Sequence, residues 1–216
     1  LYFCPDILPE TKLLELPGLR GRPLVSLSPE VYRHLAYRDK TEGVIGLMHA
    51  KAHDLEDLVL TSEAPLVLVA EAPEKPGNIG ALLRTADAAG LDAVIIADPK
   101  GDLYNPNVIR SSVGCLFTVQ VATGSSPEVL QYLRAQQMYI LAAALGDSRR
   151  YDLVDYTAPT AIVVGTESTG LTDLWLDGAD ARVAIPMQGI IDSMNVSVAA
   201  SVLIFEARRQ RGFSVG

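Results

Sequence analysis

Apolar and polar residues fall in blocks along this chain, and from residue 66 onward the blocks alternate between two periods. Continuous apolar runs at Leu66 to Glu71, Ala93 to Ala97, Leu116 to Val121, Met138 to Ala144, Ala161 to Gly165 and Arg182 to Ile185 predict strands. Helical spacing predicts helices over Ile79 to Ala89, Pro106 to Ser111 and Pro127 to Gln137, a short one near Leu171, and a long last helix over Val196 to Arg209. Strands that are apolar throughout and separated by helices belong to a parallel sheet covered on both faces, so the fold class is α/β. The last helix carries two apolar stripes. Residues 196, 199, 200, 203, 204 and 207 make one, and Val198, Val202 and Phe205 make the other. A helix apolar on two faces is expected to be buried on two faces.

The first 60 residues have a weaker pattern, with strand-like pieces at Leu1 to Cys4 and Pro23 to Ser26, a helical Pro29 to Ala36 and an apolar run at Gly43 to Met48. They are too few and too interrupted for a domain of ordinary size. A linker is expected at residues 61–65, dividing a partial N-terminal domain (1–60) from the main domain (66–216). Arg33, His34, Arg38 and Lys40 fall close together, as a small basic patch or simply a solvated helix face. His49 and His53 stand four apart but lack the intervening Glu of HExxH and a third ligand, so no metal site is expected.

Composition changes this picture little. Of 216 residues, 49% are apolar, which is ample for a core. No apolar run reaches the ~18 residues of a membrane span, and the opening residues do not have the form of a signal peptide, so a cytoplasmic protein is expected. Two cysteines, Cys4 and Cys115, are too few for a disulfide framework. The net charge of −8 (18 basic, 26 acidic) argues against a surface that attracts nucleic acid everywhere, while leaving room for a local basic site.

In a parallel sheet, ligands gather beyond the carboxyl ends of the strands. The loop after Leu66 to Glu71 reads APEKPGNIGALLR. Pro76 and Gly77 shape its turn, Asn78 is placed to cap the helix, and Gly80 allows another backbone to approach. Asp98 stands where a nicotinamide enzyme would place its ribose-binding acid, but GNIGALL is neither GxGxxG nor a phosphate loop. The loop after Ala161 to Gly165 reads GTESTGL and leaves the carboxylate of Glu167 at the rim. The stretch Ile185 to Ala200 is cut by Pro186 and Gly189, turns polar over Asp192 to Asn195, and then becomes the last helix, with Ser193 or Asn195 as its cap. Arg110, with Ser111 and Ser112, suits a phosphate clamp or plain surface.

Taken in order, NxGxxxR at Asn78 to Arg84, GxExxGL at Gly165 to Leu171 and IPMxGxxDSxNVSVA at Ile185 to Ala199 resemble the three motifs of the SpoU-type (TrmH-like) RNA ribose methyltransferases of the SPOUT superfamily. The resemblance covers residues 66–216. It implies a parallel sheet closed by a C-terminal deep trefoil knot, S-adenosylmethionine as methyl donor, an RNA 2′-hydroxyl as acceptor, and a homodimer. Looser similarity of PLVSLSPEVYRHLAYRDKTEGVIGLM to a ribosomal-protein-like recognition domain implies a small, partial α/β RNA-recognition domain and favours ribosomal over transfer RNA. A transfer-RNA enzyme, or a non-catalytic RNA-binding protein that keeps the knot, are the alternatives. The functional residues implied are Asn78, Arg84, Glu167, Ser193 and Asn195 for catalysis. Ala142, Ala143, Gly165, Ile185 and Met194 are implied for the cofactor, and Arg84, Arg110 and Ser112 for RNA. Ser168 stands where many members have Gly, and Met194 where many have Leu. The resemblance makes Arg84 the base, but a guanidinium in water keeps its proton to a pKa above ~12, which suits a phosphate clamp better.

Overall fold

The computed structural model describes all residues except Arg20, Asp39, Lys40, Glu167 and 214–216, so the expected roles of Lys40 and Glu167 lie outside the described residues. The chain forms two compact units, Leu1–Lys51 and Ala52–Gly216.

The first unit contains β1 (Tyr2–Phe3), α1 (Glu10–Leu14), β2 (Val25–Ser26), α2 (Pro29–Leu35) and β3 (Val44–Ile45). β1 is the middle strand, parallel to β2 and antiparallel to β3. Ser28 caps α2 by accepting from the Val31 amide, and Pro29 supplies the first turn, where its missing N–H costs nothing. Tyr32 is buried, and its hydroxyl accepts from the Gly43 amide (3.0 Å) and donates to Thr41 Oγ1 (2.7 Å), which ties α2 to the approach to β3. The strand and helix pieces expected here are present but shorter, and α1 is additional.

The second unit contains β4 (Leu66–Glu71), α3 (Pro76–Ala89), β5 (Ala93–Ala97), α4 (Pro106–Ser112), β6 (Val121–Gly124), α5 (Ser126–Ala135), β7 (Tyr139–Ala143), β8 (Arg149–Arg150), β9 (Thr160–Val164), α6 (Asp173–Gly178), β10 (Ala181–Ala184) and α7 (Val196–Arg211). Its seven-stranded sheet has the order β6-β5-β4-β9-β7-β10-β8, and every pairing is parallel. The strand side chains alternate between two cores. Leu66, Leu68 and Ala70 face the layer holding α3, α4 and α7, while Val67 and Val69 face α5, α6 and the turn at Leu55–Asp57. Every residue of β4, β5 and β9 is buried, which explains why their runs show no period of two. Each large aliphatic side chain sequestered in this way contributes about 1.5–3 kcal/mol relative to exposure.

Two expectations need correction, and one strand is new. Helix α3 begins at Pro76, with Lys75 as its N-cap, so Asn78 lies inside the first turn and is not the cap. The apolar run expected as a strand from Leu116 is instead a 3-10 turn at Cys115–Phe117, and β6 starts at Val121. The left-handed residues Val113 and Gly114 that end α4 leave Leu116 buried in the helical layer, away from the sheet. β8, two exposed arginines at the sheet edge, has no apolar signal to reveal it.

At the amino ends of the strands, α7 is clasped by its own arginines. Arg211 donates to the carbonyls of Tyr156 (2.7 Å), Ala158 (2.6 Å) and Ala64, and Arg208 donates to that of Gly90. Gln210 Nε2 donates to the Val154 carbonyl, and its Oε1 accepts from the Tyr156 amide. Hydrogen bonding from Arg209 holds the Glu206 carboxyl below its ordinary pKa.

Helices α3 and α4 cross where Gly80 meets Ser111. A Cβ at Gly80 would stand 2.0 Å from Ser111 Oγ and 2.7 Å from its backbone carbon. Gly77, one turn earlier, has nothing within 4 Å. Gly80→Ala is therefore expected to cost about 1–3 kcal/mol by overpacking, whereas Gly77→Ala gains about 0.5–1 kcal/mol through helix propensity. Urea denaturation of both variants checks the opposite signs.

Candidate active site at the carboxyl rim of the sheet

Because the strands are all parallel, the loops after β4, β7, β9 and β10 leave from one rim, and β9, β7 and β10 are consecutive neighbours in the sheet. The backbone leaves β4 through Ala72, a non-glycine residue in the left-handed region (φ 45°), whose amide donates to the Ala97 carbonyl. This bend turns residues 73–75 across the rim and starts α3.

After β9 the chain folds back on itself. Thr166 and Gly170 exchange both backbone hydrogen bonds (3.1 Å each), and Thr166 Oγ1 also accepts from the Thr169 amide. Gly165 allows this closure, since a Cβ there would lie 2.3 Å from the Gly170 carbonyl. These two loops wall a cavity of about 260 Å³, with Ala70, Leu82 and Val196 as apolar floor and Lys75, Asn78, Thr166 and Ser168 as polar rim.

The third segment arrives at the start of α7. Asn195 is its N-cap, accepting from the Ser197 amide (3.0 Å) and hydroxyl (2.6 Å) through Oδ1. Its Nδ2 donates to Asn78 Oδ1 at 3.1 Å, joining residues 117 positions apart. Asn78, Gly165 and Asn195, expected from three separate motifs, are thus brought together around one cavity.

The other expected residues are distributed around this point. Ser193 is exposed and donates to Asp192 Oδ1 (3.1 Å). Ile185 and Met194 are half-buried on the segment leading to α7. Ala143 ends β7 at the rim, whereas Ala142 is fully buried and paired on both sides, opposite Val163 and Arg182. Arg84 is exposed on α3, outside the cavity lining. Its charge acts on the Cys115 thiol, whose pKa is raised first by burial and then by Asp87, with Arg84 opposing them. Arg110 is exposed on the neighbouring α4, where it donates to Asn107 Oδ1. Ser112 does not fit an RNA contact: it is 0% exposed, and its hydroxyl donates to the Ile109 carbonyl. The capping role expected jointly for Ser193 or Asn195 falls to Asn195.

Asp98 is engaged elsewhere. Its carboxylate accepts from the Ser126 amide and hydroxyl (3.2 and 2.6 Å), and Ser126 Oγ accepts from Trp175 Nε1 (3.0 Å). That use removes the one feature that suggested a nicotinamide ribose. The ring of His53 is bound to the Val121 carbonyl and the Tyr104 hydroxyl (2.9 Å each). Among the described residues, no group of three or more His, Cys, Asp or Glu side chains is placed to hold a metal. Nor is any described helix long and apolar enough to cross a membrane.

One residue that sequence reasoning missed stands behind the cavity. Glu71 ends β4 at 3% exposure, and its two oxygens accept from the Thr172 amide (2.9 Å) and hydroxyl (2.6 Å). Its only trace in the sequence is an acid closing an otherwise apolar strand.

A parallel α/β unit whose strand-end loops converge on one polar-rimmed cavity has the layout of an enzyme domain with its site at the carboxyl rim. The chain belongs to the SpoU rRNA Methylase family, whose profile matches residues 65–205. It is 33% identical over 195 residues to a 23S rRNA (uridine(2479)-2′-O)-methyltransferase of Streptomyces viridochromogenes, covering 87% of this chain and 67% of that one. With a 23S rRNA (guanosine(2553)-2′-O)-methyltransferase of Bacillus subtilis it shares 33% identity, spanning 74% of this chain and only 63% of the relative. Among solved structures, the AdoMet-bound rRNA methyltransferase of Sinorhizobium meliloti superposes with a TM-score of 0.83 at 26% identity, covering 96% of this chain and 79% of that one.

Proposed function

We propose that this chain transfers a methyl group from S-adenosylmethionine to a ribose 2′-hydroxyl of RNA. The observation that carries the reading is the Asn195 to Asn78 hydrogen bond beside the cavity, which unites the first and third motifs where the second motif's loop forms a wall. Ribosomal RNA is favoured. Similarity to a 23S rRNA methyltransferase of Ralstonia nicotianae runs over 93% of the chain, against 81% for a tRNA (guanosine(18)-2′-O)-methyltransferase of Thermus thermophilus.

The donor site fits the consecutive ends of β9, β7 and β10. Gly165, Ala143 and Ile185 offer backbone groups there in a row, and the large apolar side chains of Leu145, Ile190 and Ile191 stand exposed nearby on the same loops. Exposed apolar groups in one region mark a binding surface. S-adenosylmethionine supplies an electrophilic methyl group on sulfonium. Asn78 and Asn195 hold the ribose edge in line, Ser193 lines its approach, and Glu167 completes the set. Arg84 and Arg110, exposed on adjacent helices, grip phosphate, since guanidinium presents a rigid fork to phosphate oxygens. Positioning of this kind supplies much of the catalysis when the two reacting atoms are otherwise free to drift.

The first unit, with Arg33, His34 and Arg38 at and beyond the end of α2, is the RNA-recognition unit of this reading. The knot belongs to it as well. Its support is that β9 and β10, both late in the chain, enter between earlier neighbours and not at an edge. The homodimer rests on α7, where Ala200, Leu203, Ile204 and Ala207 are buried while Val198 (51%) and Phe205 (41%) stand exposed on the second stripe.

Two measurements test this reading. Arg84→Ala is expected to lower methyl transfer to rRNA about 100-fold or more while calorimetry with S-adenosylmethionine gives an unchanged Kd. Equal loss of both contradicts the phosphate role, and a wild-type protein that fails to bind the donor favours a non-catalytic RNA-binding protein. Light scattering at micromolar concentration is expected to give twice the chain mass, and a monomer contradicts the α7 contact.

A further inference from the structure

We propose that Glu71 is a positioning residue that sets the width of the cavity, by tying the end of β4 to the exit of the loop after β9. The geometry is specific. Glu71 Oε2 accepts from the Thr172 amide at 2.9 Å and Oε1 from the Thr172 hydroxyl at 2.6 Å, so both carboxylate oxygens are spent on one residue. Thr172 is the N-cap residue of α6, yet its hydroxyl is not used to cap that helix and points instead to Glu71.

The two walls of the cavity diverge from this joint. One residue beyond Glu71, Ala72 takes its left-handed bend and sends Pro73, Glu74 and Lys75 along one wall. Two residues before Thr172, Gly170 closes on Thr166, and Gly165, Thr166 and Ser168 form the other wall. Ala70, adjacent to Glu71 on β4, is part of the floor. A shift at the Glu71 to Thr172 joint therefore moves one wall relative to the other.

Fold stability alone does not account for this joint. A carboxylate buried to 3% exposure, with no cation paired to it among the described residues, carries a desolvation penalty that an apolar pair at positions 71 and 172 would avoid. The left-handed alanine beside it adds backbone strain. Local features that oppose stability and cluster at one rim are characteristic of functional sites. What the pair provides is a short, charge-assisted clamp that an aliphatic contact cannot reproduce, because its two hydrogen bonds fix both distance and direction.

The activity readout of this proposal rests on the methyl-transfer reading, whereas its loop readout does not. The experiment compares the wild type with Thr172→Val, Thr172→Ser and Glu71→Ala by amide hydrogen exchange and by steady-state methylation of rRNA. Thr172→Val keeps the shape and loses the hydroxyl, and Thr172→Ser keeps the hydroxyl. Val and Ala are expected to raise exchange of the 166–172 amides about tenfold with β5 unchanged, and to lower kcat about tenfold with KM for RNA unaltered. Ser is expected to match the wild type in both. Unchanged exchange in the Val variant, protection lost evenly across the sheet, or a Ser variant as impaired as Val overturns the proposal. If Glu71→Ala does not fold, the Val and Ser pair decides alone. If wild-type protein methylates no RNA, the methyl-transfer reading fails, and the exchange of the 166–172 loop still decides whether Glu71 holds it.

Discussion

The structure depends on the insertion of β9 between β4 and β7. Both ladders are parallel and run through residues buried on both faces, so each backbone N–H and C=O in the middle of the sheet finds its partner there. Once β9 occupies that place, the loops after β4 and β9 must leave the sheet side by side, and the segment after β10 leaves one strand beyond β7. Nothing local to any one loop brings Asn78, Gly165 and Asn195 together. Strand order does, by aligning the carboxyl ends of strands that are distant in sequence.

The two ends of the sheet are built differently. At the amino end, α7 closes the structure with cations on carbonyl groups, Arg211 on three and Arg208 on one, although Arg208 Nε is buried without a hydrogen-bond partner. At the carboxyl end the devices are costly: a left-handed Ala72, a Gly165 that admits no side chain, and the buried acid Glu71. The apolar layers on both faces of the sheet supply the stability that offsets these features. Of the three arginines in the last turn of α7, Arg208 and Arg211 donate to backbone carbonyls and Arg209 is paired with Glu206. In the proposed reading, RNA attraction in a chain of net charge −8 rests on Arg84 and Arg110 on α3 and α4 and on the first unit.

The elements most legible in the sequence were those whose pattern is set by burial. β4, β5, β9 and the long α7 were expected nearly as they stand, because strands buried on both faces and a helix with a continuous stripe leave strong signals. The close approach at Gly80 was also readable, since a glycine inside a helix calls for a neighbour. What was lost had local causes that one-dimensional patterns do not record. Leu116 is as apolar as a strand residue but sits beneath helices, the start of α3 was decided by Pro76 and not by Asn78, and β8 pairs through backbone with exposed arginines. In the site, the motifs pointed to Asn78, Gly165 and Asn195. Outside the motifs, a place in the sequence next to an arginine does not tell an outward hydroxyl from an inward one, and Ser112 turns inward. Glu71 was invisible because its meaning lies wholly in a partner 101 positions away.

Family membership and the convergence of three motifs on one cavity make one central claim, that the acceptor atom is a ribose oxygen and not a base nitrogen or carbon. The most direct measurement is to incubate the protein with rRNA and methyl-labelled S-adenosylmethionine, digest the RNA to nucleosides and separate the products. The account predicts label in a single 2′-O-methylnucleoside. Label in a base-methylated nucleoside would contradict it, as would RNA that emerges unlabelled while the donor is bound.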